Sequence, residues 1–401
     1  MDFNFTEEQT ALQDTLRRFI AKEYGFEKRR ALARSPEGFS RDIWLRFAEL
    51  GVLALPFPEA FGGLNGSAVD TMVVMEAFGP GLVLEPYLAT VVLCGGLLRD
   101  AGNKTQKETL LPAIASGELL MAFAHYEPDA RYESNYVTTT ATSAGDGWTL
   151  DGAKSVVLHG GGANRLIVSA RTSGDARDAA GISLFIVDRD AAGVSVRDYP
   201  TQDGLHAAEI AFKDVRVGAD ALLGAKDKAL PAIERALDYA IAALCAEAVG
   251  IMTALNAATL DYLKTRKQFG VPIGKFQALQ HRMVDMTIAA EQARSMMYLA
   301  SVKVDSPDVA ERRRAVSAAK AHIGQAARYV GQQAVQLHGG MGVTDELVVS
   351  HWFKRLTTIN LTFGDMDYHL GKFSDMLLAG PTAQAAPRAA AETTTVHERV
   401  G

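Results

Sequence analysis

Two segments of the 401-residue chain combine residue types and spacing suited to holding an anion. The first, 266–277, reads Arg-Lys-Gln-Phe-Gly-Val-Pro-Ile-Gly-Lys-Phe-Gln. Arg266 ends a long helical period immediately before a turn, so its guanidinium is free to make bidentate contacts with a phosphate. The second reads Gln336-Leu337-His338-Gly339-Gly340-Met341-Gly342, and its glycine pair lets a backbone approach a ligand closely. The same residues also fit a plainer reading, a cation near the negative end of a helix dipole and an ordinary helix-breaking glycine pair. No GxGxxG follows a strand, no Walker loop occurs, and the nine histidines form no HExxH, which removes Rossmann, P-loop and zincin chemistry. Asp365, Asp367 and His369 invite a metal, but alternate residues on a helix point in different directions, and no metal is expected.

The elements that must position these residues change character twice along the chain. Residues 1–118 read as a helical domain: Thr6 with Gln9 forms a capping box, Ser40 caps a segment that stops at Gly51, and apolar helical runs cover 73–98 and 104–114. Residues 119–225 read as a β-domain, with short runs at 136–141, 148–150, 155–158, 165–170, 182–187 and 208–212. Asp151-Gly152 predicts a hairpin and Gly160-Gly161-Gly162 a second turn, and strands without intervening helices predict an antiparallel sandwich or barrel. Over 226–379 the helical period returns as four long segments, about 230–266, 276–304, 309–337 and 346–377, which predict a four-helix bundle. The Ala-, Thr- and Pro-rich tail, 380–401, is expected to be disordered. The fold class is therefore α+β, a helical domain, a β-domain and a bundle in that order.

Composition narrows the function. With 41 basic and 47 acidic residues the net charge is −6, which argues against a nucleic-acid partner, and Arg312-Arg313-Arg314 reads as a solvated helix face. The greasy stretch 239–255 carries Glu247 in its middle and reads as too short to span a bilayer, so no membrane partner is expected. The N-terminus lacks the features of a signal peptide, and the two cysteines, Cys94 and Cys245, have neither metal nor redox spacing; both point to the cytoplasm.

The two glycine-containing segments, and the order of the three domains, resemble the acyl-CoA dehydrogenase family over residues 1 to about 378. The resemblance implies FAD at a subunit interface, with one subunit's β-domain holding the flavin ring and a neighbour's bundle reaching the pyrophosphate and adenosine. Arg266, Phe269, Gln277, Gln336, Gly339 and Gly340 would then serve a flavin bound largely on another chain. The ring-side half departs from the family pattern: Tyr126 precedes Glu127 where a threonine is usual, the pantetheine loop is replaced around 129–132, and Lys154-Ser155-Val156-Val157-Leu158-His159 replaces the Trp-Ile-Thr run. At these ring positions Tyr126, Val156 and Leu158 stand, and Leu158 has no side-chain donor for the flavin N5, leaving that role to backbone N–H groups.

Dehydrogenation α,β to a thioester needs a carboxylate at the α-carbon while hydride leaves the β-carbon. The resemblance puts that base just before a glycine on the last long helix, where this chain has Phe363, or on the first bundle helix, where it has Ala240. Asp365, Asp238 and Glu247 are the candidates for a displaced base. Asp365 lies about 200° around a helix from Phe363 and should point away; Glu247, beside the core position Ala248, reads as an interface or solvated residue. The family arginine expected near Ala240 and Ile241 is absent, so an expected contact near CoA is lost. Within the family the chain is similar to the pimeloyl-CoA dehydrogenase branch, in which a small subunit pairs with a large one; segments 84–93, 262–270 and 363–365 carry that likeness. The resemblance implies an acyl-CoA substrate, a second dehydrogenase subunit in an α2β2 assembly with the base on the partner, and an electron-transfer flavoprotein as acceptor. Its alternatives are a self-sufficient homotetramer using Asp365 and a structural subunit that only completes a neighbour's FAD site.

Overall fold

The computed structural model describes residues 5–379; the tail expectation for 380–401 lies outside them. Thr6 and Gln9 close a reciprocal capping box at the start of α1 (Glu7–Glu23). After α2 (Phe26–Ala33), Ser40 Oγ accepts the Ile43 N–H at 3.3 Å and starts α3 (Arg41–Glu49). Then comes α4 (Ala68–Gly81). The single helix predicted over 73–98 is interrupted: Leu82 turns left-handed at φ 52°, and the chain resumes only after Pro86 as a π-helix, Tyr87–Gly95, which runs into α5 (Gly96–Ala101). Pro86, with no N–H to give to a preceding carbonyl, marks the restart. Asn103 caps α6 (Lys104–Ala115).

Eight strands form one continuous sheet: β1 (Met121–Ala124), β2 (Thr140–Ala144), β3 (Gly147–Leu158), β4 (Arg165–Arg171), β5 (Ile182–Asp188), β6 (Val194–Pro200), β7 (His206–Gly218) and β8 (Leu222–Leu223). Their order is β6-β7-β3-β2-β4-β5-β8, with β1 beside β4. Pairing is antiparallel except along β1–β4 and at one β2–β4 pair. Asp151-Gly152 is not the predicted hairpin turn. It lies inside β3, where the register against β7 shifts between Leu150 and Gly152. Gly152 has φ 147°, and a Cβ there would sit 2.6 Å from Thr139 Cα, so glycine serves a close strand approach rather than a turn. The reversal comes instead at Gly145-Asp146, between β2 and β3.

The third block begins with α7 (Leu230–Thr265), 36 residues long. A two-stranded hairpin, β9 (Lys267–Gln268) and β10 (Val271–Pro272), leads to α8 (Gln277–Lys303) and α9 (Val309–His338). The expected fourth helix is two, α10 (Val348–Leu361) and α11 (Met366–Leu378). Buried Lys320 of α9 explains the break. Its Nζ donates to the carbonyls of Ile359, Asn360 and Thr362, satisfying the C-terminal end of α10. Gly364 then turns the chain at φ 112°, where a Cβ would meet the Tyr368 ring at 2.5 Å.

Contrary to the sequence reading, α7 is long and apolar enough to cross a membrane by composition; 78% of its apolar window is buried inside the protein, against α4, α8 and α9. The arginine run also differs from expectation. Arg312 is buried on Asp238 and Arg313 is paired with Glu234, leaving Arg314 exposed. One apolar core joins the helical blocks and continues beneath the sheet, and a second fills the sheet's interior.

Candidate active site

A cavity of about 340 Å³ opens where the N-terminal helices, the sheet and the bundle meet. Five sequence-predicted positions share it: Tyr126, Val156, Leu158, Phe363 and the candidate base Glu247. Their meeting follows from local irregularities. A second register shift in β3, between Lys154 and Val157, gives Val156 a left-handed φ of 52° and leaves its side chain 56% exposed. The break between α10 and α11 gives Phe363 φ 59°, and its ring lies over Tyr126 at 6.1 Å and 26°. A small side branch shares Tyr126, Val156, Leu158 and Phe363 with the main cavity. The backbone donors expected to face a flavin are partly engaged already. Ser155 N–H donates to Tyr126 O at 2.8 Å, His159 N–H to His206 O at 2.9 Å, and Val156 N–H reaches Glu209 at 3.4 Å.

Beneath this strand lies a buried ion pair that the sequence did not announce. Lys154 Nζ donates to Glu127 Oε1 at 2.7 Å, His125 O at 3.1 Å and Ser169 Oγ at 3.1 Å. Burial pulls the Lys154 amine below its usual range; the Glu127 carboxyl, although burial opposes its charge, is held ionised by Lys154 and by donors from Thr138 and Thr139. The pair pins β3 to the segment carrying Tyr126.

A second charge cluster lines the main cavity. Arg355 of α10 grips Glu247 of α7 with two bonds of 2.6 Å and donates to Asp203 Oδ2 at 2.8 Å, all three side chains being buried. Glu247 is therefore neither solvated nor an interface residue, because its arginine partner lies on another helix of the same chain. Burial works against the Arg355 charge, yet the two carboxylates hold it protonated well above the ordinary range, and Arg355 in turn keeps Asp203 low. Glu85 completes the set. Its Oε1 accepts the Ser40 N–H at 3.1 Å, the Tyr24 hydroxyl lies beside the carboxylate, and burial raises its carboxyl to about 7. A lone acid between Leu84 and Pro86, in an apolar run, was the available sequence signal.

The other two candidate bases are occupied elsewhere. Asp365 is the N-cap of α11, accepting the Tyr368 N–H at 2.8 Å, and interacts with Tyr132; it does not line the cavity. The helix assumed in placing it 200° from Phe363 does not exist there, and its role comes from capping instead. Asp238, buried against Arg312 at 2.9 Å, lines a separate narrow cleft on which Phe363 also borders. Ala240 is fully buried. Asp367 is exposed, whereas His369 is buried against Phe363 O and Ser317, so the imagined metal trio does not converge.

The remaining six predicted residues gather at one end of the bundle. Arg266 caps the C-terminus of α7, and Tyr262, one turn earlier, packs on His338 with ring centroids 4.5 Å apart, which brings the α7 end beside Gly339. Arg266, Gln277, Gln336, Gly339 and Gly340 are exposed, and Phe269 is 91% exposed. The Arg266 guanidinium has no partner among the described residues, and nothing lies within 4 Å of a Cβ built on Gly339 or Gly340.

Comparison with known proteins gives matches along the chain. Three family models match in sequence order: acyl-CoA dehydrogenase N-terminal domain over 6–118, middle domain over 122–215 and C-terminal domain over 230–377. Acyl-CoA dehydrogenase FadE12 of Mycobacterium tuberculosis is 33% identical over 86% of this chain and 89% of its own. Among solved structures, butyryl-CoA dehydrogenase from Megasphaera elsdenii superposes with a TM-score of 0.86 at 27% identity, covering 94% of this chain and 100% of that one. A variant of the Tcur3481-Tcur3483 steroid ACAD superposes at 0.84 and 29%, covering 93% and 98%.

Proposed function

The chain belongs to the acyl-CoA dehydrogenase family, and on that premise we propose that it is one subunit of a heteromeric, FAD-dependent acyl-CoA dehydrogenase whose general base is carried by the partner subunit. The observation that carries this reading is Phe363. The position from which a carboxylate would take the α-proton holds an aromatic ring stacked on Tyr126. Of the four acids lining the cavity, Glu127, Asp203 and Glu247 are committed to Lys154 and Arg355, and Glu85, which has no cationic partner, is held by the Ser40 N–H and beside Tyr24.

The residues present fit FAD at the bundle end. A free, exposed guanidinium at a helix terminus suits a diphosphate, Phe269 stands out as an uncovered ring, and the open glycine pair admits a close ligand. Bound FAD supplies the hydride acceptor. This chain's residues then act on its position: Arg266 holds the pyrophosphate, Gln336 and the glycine pair take the adenosine half, and the apolar Val156 and Leu158 exclude water at the ring side. These six residues lie open at the bundle end, with the Phe269 ring meeting only Phe276 and the Arg266 guanidinium unpaired among the described residues, which supports their serving a flavin on a neighbour. The α2β2 arrangement, the pimeloyl-CoA dehydrogenase small-subunit branch, the electron-transfer flavoprotein acceptor and the cytoplasmic location belong to the same proposal. They are supported by the sequence likeness and, for the reducing compartment, by two buried free cysteines.

Two measurements test it. Light scattering of the flavin-loaded protein should show association; a monomer with full flavin content would end the shared-site reading. Asp365→Asn should leave flavin reduction within a few-fold of wild type in the active assembly. A loss of about a thousandfold at unchanged FAD content would make Asp365 the base.

A further inference from the structure

Two arginines line the main cavity. Arg355 is buried and spent on Glu247 and Asp203. Arg131 is exposed and has neither a hydrogen bond nor an ion pair among the described residues. The acids beside it in sequence leave it free: Glu133 is paired with Arg177, and Asp129 makes no ion pair among the described residues. The backbone that presents Arg131 is both fixed and strained. Its φ of 48° lies in the left-handed region, which disfavours every residue with a Cβ. The residues on either side hold it there. Ala130 N–H donates to Glu127 O at 3.0 Å, Glu133 N–H to Ala130 O at 2.9 Å, and the Tyr132 carbonyl accepts the Tyr368 hydroxyl at 3.1 Å. Glycine is the ordinary occupant of such a position, and here it carries a free guanidinium instead.

That position is the rim of the cavity. Its exposed lining residues are Pro128, Arg131, Val156 and Leu361, whereas Met75, Phe78 and Leu244 give it a buried apolar interior. We propose that Arg131 is an anion-binding residue of the rim and pairs with a phosphate of the carrier that delivers the acyl chain. That the chain arrives as a CoA thioester rests on the function proposed above; that the rim takes an anion is argued from Arg131 alone. An acyl chain drawn into the apolar interior leaves its carrier at the rim, whereas a carboxylate at the far end of the chain would enter the interior with it. A guanidinium presents parallel N–H donors that match two phosphate oxygens, and its flexible stem lets it turn outward to meet a carrier leaving the cavity. A carrier without phosphate leaves the guanidinium in water.

The experiment is calorimetric titration of the flavin-loaded assembly with one saturated acyl chain carried on CoA, the same chain on pantetheine, which has no phosphate, and its terminally carboxylated counterpart on pantetheine. Arg131→Gly, which suits the left-handed backbone, should hold or raise the urea midpoint and yet weaken the CoA thioester by about fivefold or more, leaving the plain pantetheine thioester within about twofold. Arg131→Gln should do the same to binding, and Arg131→Lys, which keeps the charge, should retain most of the affinity. The wild-type affinity for the CoA thioester should fall as salt rises, and more steeply than that of Arg131→Gln. Retained FAD content shows that each variant is folded. A loss shared equally by both carriers, or seen with neither, overturns the inference and leaves the dehydrogenase reading intact. So does Arg131-dependent binding of the carboxylated pantetheine thioester with a CoA thioester indifferent to Arg131, which would assign the guanidinium to the end of the acyl chain. Failure of every thioester to bind overturns both readings.

Discussion

Replacing Arg355 by methionine would remove three charge-assisted hydrogen bonds of 2.6, 2.6 and 2.8 Å and strand two carboxylates, Glu247 and Asp203, in a buried site. Such bonds contribute about 1.5–3 kcal/mol each, but their sum overstates the loss because the stranded acids can protonate. Protonating one carboxyl of ordinary pKa at about pH 7 costs roughly 4 kcal/mol, which limits the penalty for each acid, and broken buried pairs typically cost about 3–5 kcal/mol. We expect a loss near the top of that range at about pH 8. The sign of its pH dependence follows. In the wild type Asp203 lies below its usual value, a contribution present at neutral pH and lost only in acid. In the variant, burial without the guanidinium raises the same carboxyl, so stability falls as pH rises through its new value. The deficit should therefore shrink by about 1.4 kcal/mol for each pH unit per stranded acid on going down to about pH 5. Urea midpoints of both proteins across that range measure it, and Glu247→Gln with Asp203→Asn in the Arg355→Met background should recover most of the loss. A deficit below about 1 kcal/mol, or one independent of pH, would refute the reasoning.

Glu85→Gln should alter the pH dependence of stability in a definite window. The Glu85 carboxyl, buried beside Tyr24 and Ser40, titrates at about 7 in the folded chain, so wild-type stability is lost as pH rises from the unfolded value near 4.5 through 7. Over that window the variant should gain on the order of 3 kcal/mol relative to wild type, read from urea midpoints; parallel curves would contradict the burial argument. Arg266→Ala should lower FAD retention on gel filtration of the assembly by a factor consistent with about 1.5–3 kcal/mol, because an exposed, unpartnered guanidinium has no folding role to lose; unchanged flavin content counts against the diphosphate contact.

The helical and β segments were legible where local chemistry decides them. The Thr6–Gln9 box, the Ser40 cap and the end of α7 at Arg266 are set by residues within one turn. What the sequence hid depends on partners far along the chain. Lys320 ends α10 from α9, some forty residues away, and so turns Asp365 into a cap. Glu247 read as an interface or solvated residue because its periodicity carries no trace of Arg355, and Asp151-Gly152 read as a hairpin because a register shift against β7, with Thr139 packed close, uses the same glycine. At the site, type and spacing drew attention to Arg266 and the Gly339-Gly340 pair, while Phe363 and the other bundle-end residues came from the family resemblance. The charge clusters of Lys154–Glu127 and Arg355–Glu247–Asp203 needed three-dimensional contact to appear.

The account turns on where the α-proton goes, and anaerobic flavin reduction by a saturated acyl-CoA measures that most directly. The chain purified alone and the same chain co-purified with a neighbouring dehydrogenase subunit should be compared at matched FAD content. With Phe363 at the base position, the chain alone should leave its flavin oxidised and the assembly should bleach. Full bleaching by the chain alone would contradict the claim that the base lies on the partner.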